Sequence, residues 1–145
     1  METHLDFPRP TRSQDVARYA LGGFMAFAGI GHLTFSRKEF RAQVPNWFPV
    51  GKDATVLGSG IAEVGLGAAL LAAPKYRRES GIALAAFYLL IFPGNVAQYA
   101  ERKNGFGLDT DGKRLARLFF QPPLIAAALW AGGIPRTKRH AAPRR

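Results

Sequence analysis

The chain has 145 residues, 48% of them hydrophobic, with 20 Lys and Arg against 10 Asp and Glu and a formal net charge of +10. This length suits a single domain, and the positive excess alone is compatible with nucleic acid, a membrane surface or the basic loops of a multi-span protein. The absence of cysteine excludes disulfides, thiolate redox centres, iron–sulfur clusters and cysteine-ligated zinc, so any redox chemistry has to be borrowed from a cofactor or a partner.

Where the charges fall separates these classes. None occurs from Tyr19 to Ser36, from Ser80 to Ala100 or from Leu118 to Pro135, and only Glu63 interrupts the run from Ala54 to Pro74. Each stretch is about 18 to 21 residues, enough to cross ~30 Å of hydrocarbon at ~1.5 Å per residue. A mean hydropathy of -0.05 would also suit a soluble helical bundle. Soluble helices need a polar face, however, and Gly81 to Phe92 carries none. The low average comes from the charged loops and tails.

In chain order, residues 1–15 read as a mobile polar tail with Pro8 and Pro10, and Glu2, Asp6 and Asp15 make it unlike a short basic cleavable leader. Residues 16–134 read as the transmembrane domain, with helices predicted at about 16–33, 55–73, 81–99 and 115–133. In the first helix Gly22, Gly23, Ala26, Ala28 and Gly29 invite close helix approach. The connection from Thr34 to Asp53 mixes aromatic and basic residues and reads as an interfacial segment, with Trp47 and Phe48 at headgroup level and Arg41 reaching out to water or phosphate.

Pro74 stops the second helix, and the short connection after it makes the second and third helices antiparallel neighbours. Pro93 in the third helix and Pro122 and Pro123 in the fourth each remove a backbone donor, freeing carbonyls such as those of Leu89, Leu118 and Phe119 and opening space. Asp109-Thr110-Asp111-Gly112 lacks the ligand spacing of a calcium loop and reads as a turn. The predicted fold is all-α: an integral membrane four-helix bundle, up-down-up-down. Residues 135–145 form a basic tail that reads as a contact with anionic lipid rather than with nucleic acid. Eleven of the twenty Lys and Arg fall on the side of the two termini, which places both termini in the cytoplasm and the chain in the cell membrane as a multi-pass protein.

Each helix carries one strongly polar residue in or at the edge of its apolar run: His32, Glu63, Asn95 and Gln121. Counted along antiparallel helices, all four lie within ~12 Å of one membrane face. They are therefore expected to converge, with Gln121 at the margin and the segment from Phe40 to Phe48 over the mouth. Glu63 is the costliest at ~3 kcal/mol or more if left facing lipid, and Ser59, Glu63 and Gly67 share one helical face directed inward. Two uses are open: mutual hydrogen bonding that holds the bundle, or a pocket for a quinone-like, lipid or other apolar ligand in which His32 and Glu63 handle a proton. No metal site is expected. His32 is the one histidine near a helix, which excludes a bis-histidine haem within one chain. Gly58-Ser59-Gly60 has neither the preceding strand nor the following Lys of a phosphate loop.

Gly31-His32-Leu33, Val44-Pro45-Asn46-Trp47-Phe48-Pro49, Ser59-Gly60-Ile61-Ala62-Glu63, Phe92-Pro93-Gly94-Asn95 and Arg117-Leu118-Phe119-Phe120-Gln121-Pro122, in this order across four hydrophobic runs, resemble the DoxX-like membrane proteins. The resemblance covers nearly the whole chain between the tails and implies a four-helix membrane protein. It implies little chemistry: the family takes its name from a small subunit of a terminal quinol oxidase, other relatives are linked to membrane oxidoreductase complexes, and an animal relative is a receptor-assembly chaperone. The expected function is a non-catalytic scaffold or accessory subunit of a membrane complex, not an enzyme on its own, with the bilayer and membrane proteins as partners. The alternative is a quinone- or lipid-binding subunit of a membrane oxidoreductase.

Overall fold

The computed structural model describes residues 9–136. The expectations placed on residues 1–8 and on the basic tail at 137–145 lie outside the described residues. Every regular element described is helical: α1 (Arg12–Leu33), α2 (Arg37–Arg41), α3 (Lys52–Ala72), α4 (Arg77–Ala100), α5 (Asp111–Phe119) and α6 (Gln121–Ala131), with a 3-10 turn at Pro74–Tyr76.

α1 starts a turn earlier than its apolar run suggests. Thr11 accepts a hydrogen bond from the Gln14 backbone N–H at 3.2 Å, and the Gln14 side chain accepts from the Thr11 N–H at 3.0 Å, closing a capping box over two orphan donors. Residues 12–15, expected in a mobile tail, are thus helical and anchored. The Gln14 amide donates to the Pro135 carbonyl at 3.0 Å, and Asp15 pairs with Arg77.

The buried positions of α3, namely Val56, Gly60, Glu63, Gly67 and Leu70, alternate in steps of four and three, and Gln14, Arg18, Leu21, Met25, Gly29 and His32 do much the same on α1. Such spacing makes one narrow seam per helix. The two seams meet over almost their whole length because glycines remove the side chains between them. A Cβ on Gly67 would fall 2.7 Å from both the Gly22 carbonyl oxygen and the Ala26 nitrogen, and one on Gly29 would fall 2.7 Å from the Gly60 oxygen. α4 meets α6 in the same way, with a Gly81 Cβ falling 2.5 Å from Gly132 Cα. α1 also packs on α6, whereas α3 and α4 touch far less. The apolar centre is Met25, Leu70, Leu84, Tyr88 and Ala128.

Three arginines close the ends. Arg18 Nη1 donates to the Leu70 carbonyl at 2.8 Å and Arg77 Nε to the Ala131 carbonyl at 2.7 Å, so two buried cations satisfy acceptors left orphaned in the last turns of α3 and α6. At the opposite end Arg114 donates to the Lys103 carbonyl at 3.0 Å.

The fourth predicted helix, 115–133, is corrected. The chain turns helical at Asp111, where the Thr110 hydroxyl caps α5, and the helix breaks at Phe120. Pro122 and Pro123 do not free carbonyls inside a helix as expected. They stand in the first turn of α6, where the missing N–H groups would have had no partner.

α3 and the segment Pro74–Ala100 are long and apolar enough to cross a membrane. Polar side chains are buried beside the apolar centre, and large apolar ones lie on the outside. Gln14, Arg18, Glu63, Asn95, Gln98 and Gln121 are buried, while Phe24, Phe27, Ile61, Leu90, Phe119 and Phe120 are exposed.

Candidate functional site

A cavity of about 1090 Å³ lies among α1, α3, α4 and the α5–α6 pair, with the first half of α3 and the second half of α4 in its wall. Its polar wall begins with His32 in the last turn of α1 and Glu63 in the middle of α3. Gly60 permits the meeting, since a Cβ there would fall 2.6 Å from the His32 Cβ. His32 Nδ1 lies 3.0 Å from the Ala28 carbonyl and 2.9 Å from Glu63 Oε2. The carbonyl can only accept, so Nδ1 carries the proton. That N–H is aligned with Ala28, and the buried Glu63 Oε2 is left beside a proton without a hydrogen bond to it. Glu63 is 5% exposed and lines the cavity, and Ser59 lines it one turn away.

The other polar pair stands behind the opposite wall. Asn95 Nδ2 donates to Gln121 Oε1 at 3.1 Å, and Gln121 Nε2 donates to the Tyr88 carbonyl at 2.5 Å. Both side chains are buried, and neither lines the cavity. The single converging cluster expected from the shared depth is therefore two pairs, His32–Glu63 on α1 and α3 and Asn95–Gln121 on α4 and α6, with no hydrogen bond joining them among the described residues. The close helix contacts are α1 with α3 and α4 with α6, and polar groups pair where backbones approach.

Two cavity residues escaped the reading of the sequence. Arg117 reaches the cavity from α5 and donates to Gln121 Oε1 at 3.4 Å, and it has no carboxylate partner among the described residues. The four-residue step from Arg117 to Gln121 was the available signal, obscured by treating Arg117 as the edge of an apolar run. Tyr88 also lines the cavity and donates its hydroxyl to Met25 Sδ at 3.1 Å. It lies in the fields of both Glu63 and Arg117.

The segment after α1 roofs this space. Phe40 stacks on the His32 ring with centroids 3.2 Å apart, and Phe106 packs edge-on against Phe40 at 4.5 Å. Gly94 lets the roof settle on α4, because a Cβ there would fall 2.5 Å from the Gln43 carbonyl. Lys103 Nζ donates to the Val44 carbonyl at 2.7 Å, Glu101 accepts from the Asn46 N–H at 3.2 Å, and Glu39 accepts from the Phe106 N–H at 2.7 Å. Lys103 first of all holds the Glu101 carboxyl below the ordinary glutamate value; desolvation opposes it, and the Asn46 N–H adds a lesser lowering. Trp47 and Phe48 form the rim, packed edge-on with centroids 6.2 Å apart. Arg41 stays off the cavity and pairs with Asp53 at 3.5 Å.

Chemically, the cavity offers an apolar volume with an acceptor at Glu63, a ring at His32 and a cation at Arg117. Among the described residues no three His, Asp or Glu gather as a metal site. No curated protein and no solved structure matches the chain. Residues 21–132, most of the chain and the whole of the cavity wall, match the family described as a domain of unknown function (DUF8561), and the chain belongs to that family.

Proposed function

We propose that this chain is an integral membrane protein whose helices α1, α3, α4 and the α5–α6 pair cross the bilayer up-down-up-down, and that it holds a membrane-borne amphiphile, a quinone or another lipid, as a non-catalytic subunit of a membrane complex. The exposed aromatic and aliphatic surface, together with buried arginines and carboxamides, supports the membrane reading, because a protein in water rarely leaves so many large apolar side chains uncovered. The eleven residues of α6 rise only about 16 Å, so the fourth crossing is made together with α5. The five motifs that resemble DoxX-like proteins support the same reading.

One observation carries the ligand reading: the Glu63 carboxylate is buried, lines a cavity of about 1090 Å³, and keeps one oxygen without a hydrogen bond. Such an atom is expensive to leave unpaired unless a ligand group completes it. The cavity is at the upper end of small-molecule sites and is predominantly apolar, as an amphiphile requires.

Purification in mild detergent followed by mass spectrometry should release one amphiphile per chain. Glu63→Gln keeps the shape and should melt like the parent while releasing none. Glu63→Leu also removes the 2.9 Å contact with His32 and the polar character of this wall, and it should lose the amphiphile as Glu63→Gln does while His32 keeps its bond to Ala28. Wild-type protein with no bound amphiphile, or a Glu63→Gln protein that retains it, would leave a purely structural pair in a scaffold.

A further inference from the structure

The cavity is walled by α1, α3, α4 and the α5–α6 pair beneath the segment that follows α1. Glycine contacts seal the α1–α3 seam, at Gly22 with Gly67 and at Gly29 with Gly60, and the α4–α6 seam, at Gly81 with Gly132. The roof is tied down by the bonds from Lys103 to Val44, Asn46 to Glu101 and Phe106 to Glu39. Between α3 and α4, by contrast, no hydrogen bond or ion pair is formed among the described residues, and the outer side of this gap is a furrow. It shares Ala62, Phe87 and Leu90 with the cavity and runs on over Gly65, Ala83 and Ala86 toward the Pro74–Tyr76 turn. Leu90, on its lip, is 77% exposed.

We propose that the ligand is a single-chain amphiphile that enters sideways from the bilayer between α3 and α4, seats its head between Glu63 and Arg117, and leaves its chain in the furrow. This rests on the ligand reading of the cavity and names the ligand's class and route. The head is small and carries no net charge. Glu63 Oε2 needs a donor, Arg117 needs an acceptor and has no carboxylate partner among the described residues, and the two charges offset each other. Hydroxyl or carbonyl oxygens meet both needs, as in a monoacylglycerol or a prenylated quinone. One chain suits the furrow, which runs between two helices that remain in contact and is lined by Gly65, Ala62, Ala83 and Ala86 with Leu66 and Phe87.

The test uses the whole chain in nanodiscs of saturated phosphatidylcholine with Trp130→Phe, so that Trp47 on the cavity rim reports by fluorescence. The probes are a decyl-substituted benzoquinone, the same quinone with a methyl group in place of the decyl chain, and a monoacylglycerol brominated near its head. Each is counted per mole in the bilayer, and binding is the saturable quenching lost in Glu63→Gln. Gly65→Phe fills the furrow without crowding the backbone, since a Cβ there meets nothing within 4 Å, and Ala86→Phe fills it from the α4 side. Both substitutions should weaken the chain-bearing probe about tenfold or more and leave the methyl quinone unchanged, because the blocked chain can no longer lie behind a seated head. Whichever of decyl quinone and monoacylglycerol saturates names the source of the head.

Equal binding of the decyl probe with and without the furrow filled overturns the lateral route and the chain's position while the cavity remains a ligand site. A parent that proves dimeric and becomes monomeric with Gly65→Phe, its quenching unchanged, overturns it too and gives the furrow to a partner helix. If no probe saturates in the parent, the ligand reading itself falls, and this inference with it.

Discussion

Gly65 and Gly67 stand two residues apart on α3 and answer to different neighbours. A Cβ at Gly65 meets nothing within 4 Å, whereas at Gly67 it would meet the backbone of α1 at 2.7 Å, where no flexible side chain can give way. Gly67→Ala should therefore destabilise the protein by about 1 to 3 kcal/mol, and Gly65→Ala should be neutral or stabilising by up to about 1 kcal/mol through helix propensity. Denaturant titration in mixed micelles checks the pair, and equal effects would mean that the α1–α3 seam does not depend on close backbone contact. The inward direction of Glu63 was legible at this scale, because Ser59, Glu63 and Gly67 share one helical face and an ionised group in lipid is costly. Its partner was not. Composition placed Asn95 and Gln121 at the same depth as His32, but a hydrogen bond depends on how each helix is rotated about its axis, and a shared depth leaves that rotation free.

Among the elements, the roof between α1 and α3 depends most on groups distant in sequence. Its backbone is held by Lys103 and Glu101 from the loop that follows α4, and its own Glu39 holds the Phe106 N–H of that loop, over separations of more than fifty residues. Lys103→Ala removes the bond to the Val44 carbonyl and the partner of Glu101 together, so hydrogen exchange over residues 40–48 should speed up while α1 and α3 stay protected. Acid should act on the same clamp. A carboxyl whose folded value lies below its unfolded one adds stability that is complete above the ordinary glutamate value and is lost as pH falls through the lowered one. Exchange in the roof should thus rise in that acidic window and not near neutrality, and a roof that loosens around neutral pH would point to a histidine instead. The aromatic residues of this segment were readable as a group, but not the distant partners that fix its backbone. The break between α5 and α6 was misread because Pro122 and Pro123 are equally compatible with an interrupted helix and with the first turn of a new one, and the choice lies with the buried Gln121, tied to Asn95 and Tyr88.

At the scale of the whole molecule, the reading of four crossings makes a prediction about sidedness. Reporter fusions after Lys103 and at Arg145 should fall in opposite compartments, with the one at Arg145 cytoplasmic under the positive-inside rule. The same compartment for both would remove the fourth crossing, and a periplasmic signal at Arg145 would invert the orientation. By itself the sequence determined that the chain is helical, where its apolar runs lie, and which few polar residues interrupt them, because each follows from local composition and periodicity. Only the tertiary structure decided that the polar residues form two pairs, that Arg117 and Tyr88 join the cavity, and that the cavity shares part of its wall with a furrow between α3 and α4. That space is what remains when glycine contacts draw α1 to α3 and α4 to α6, and it is set by the relative tilt and rotation of helices rather than by the residues of any one of them.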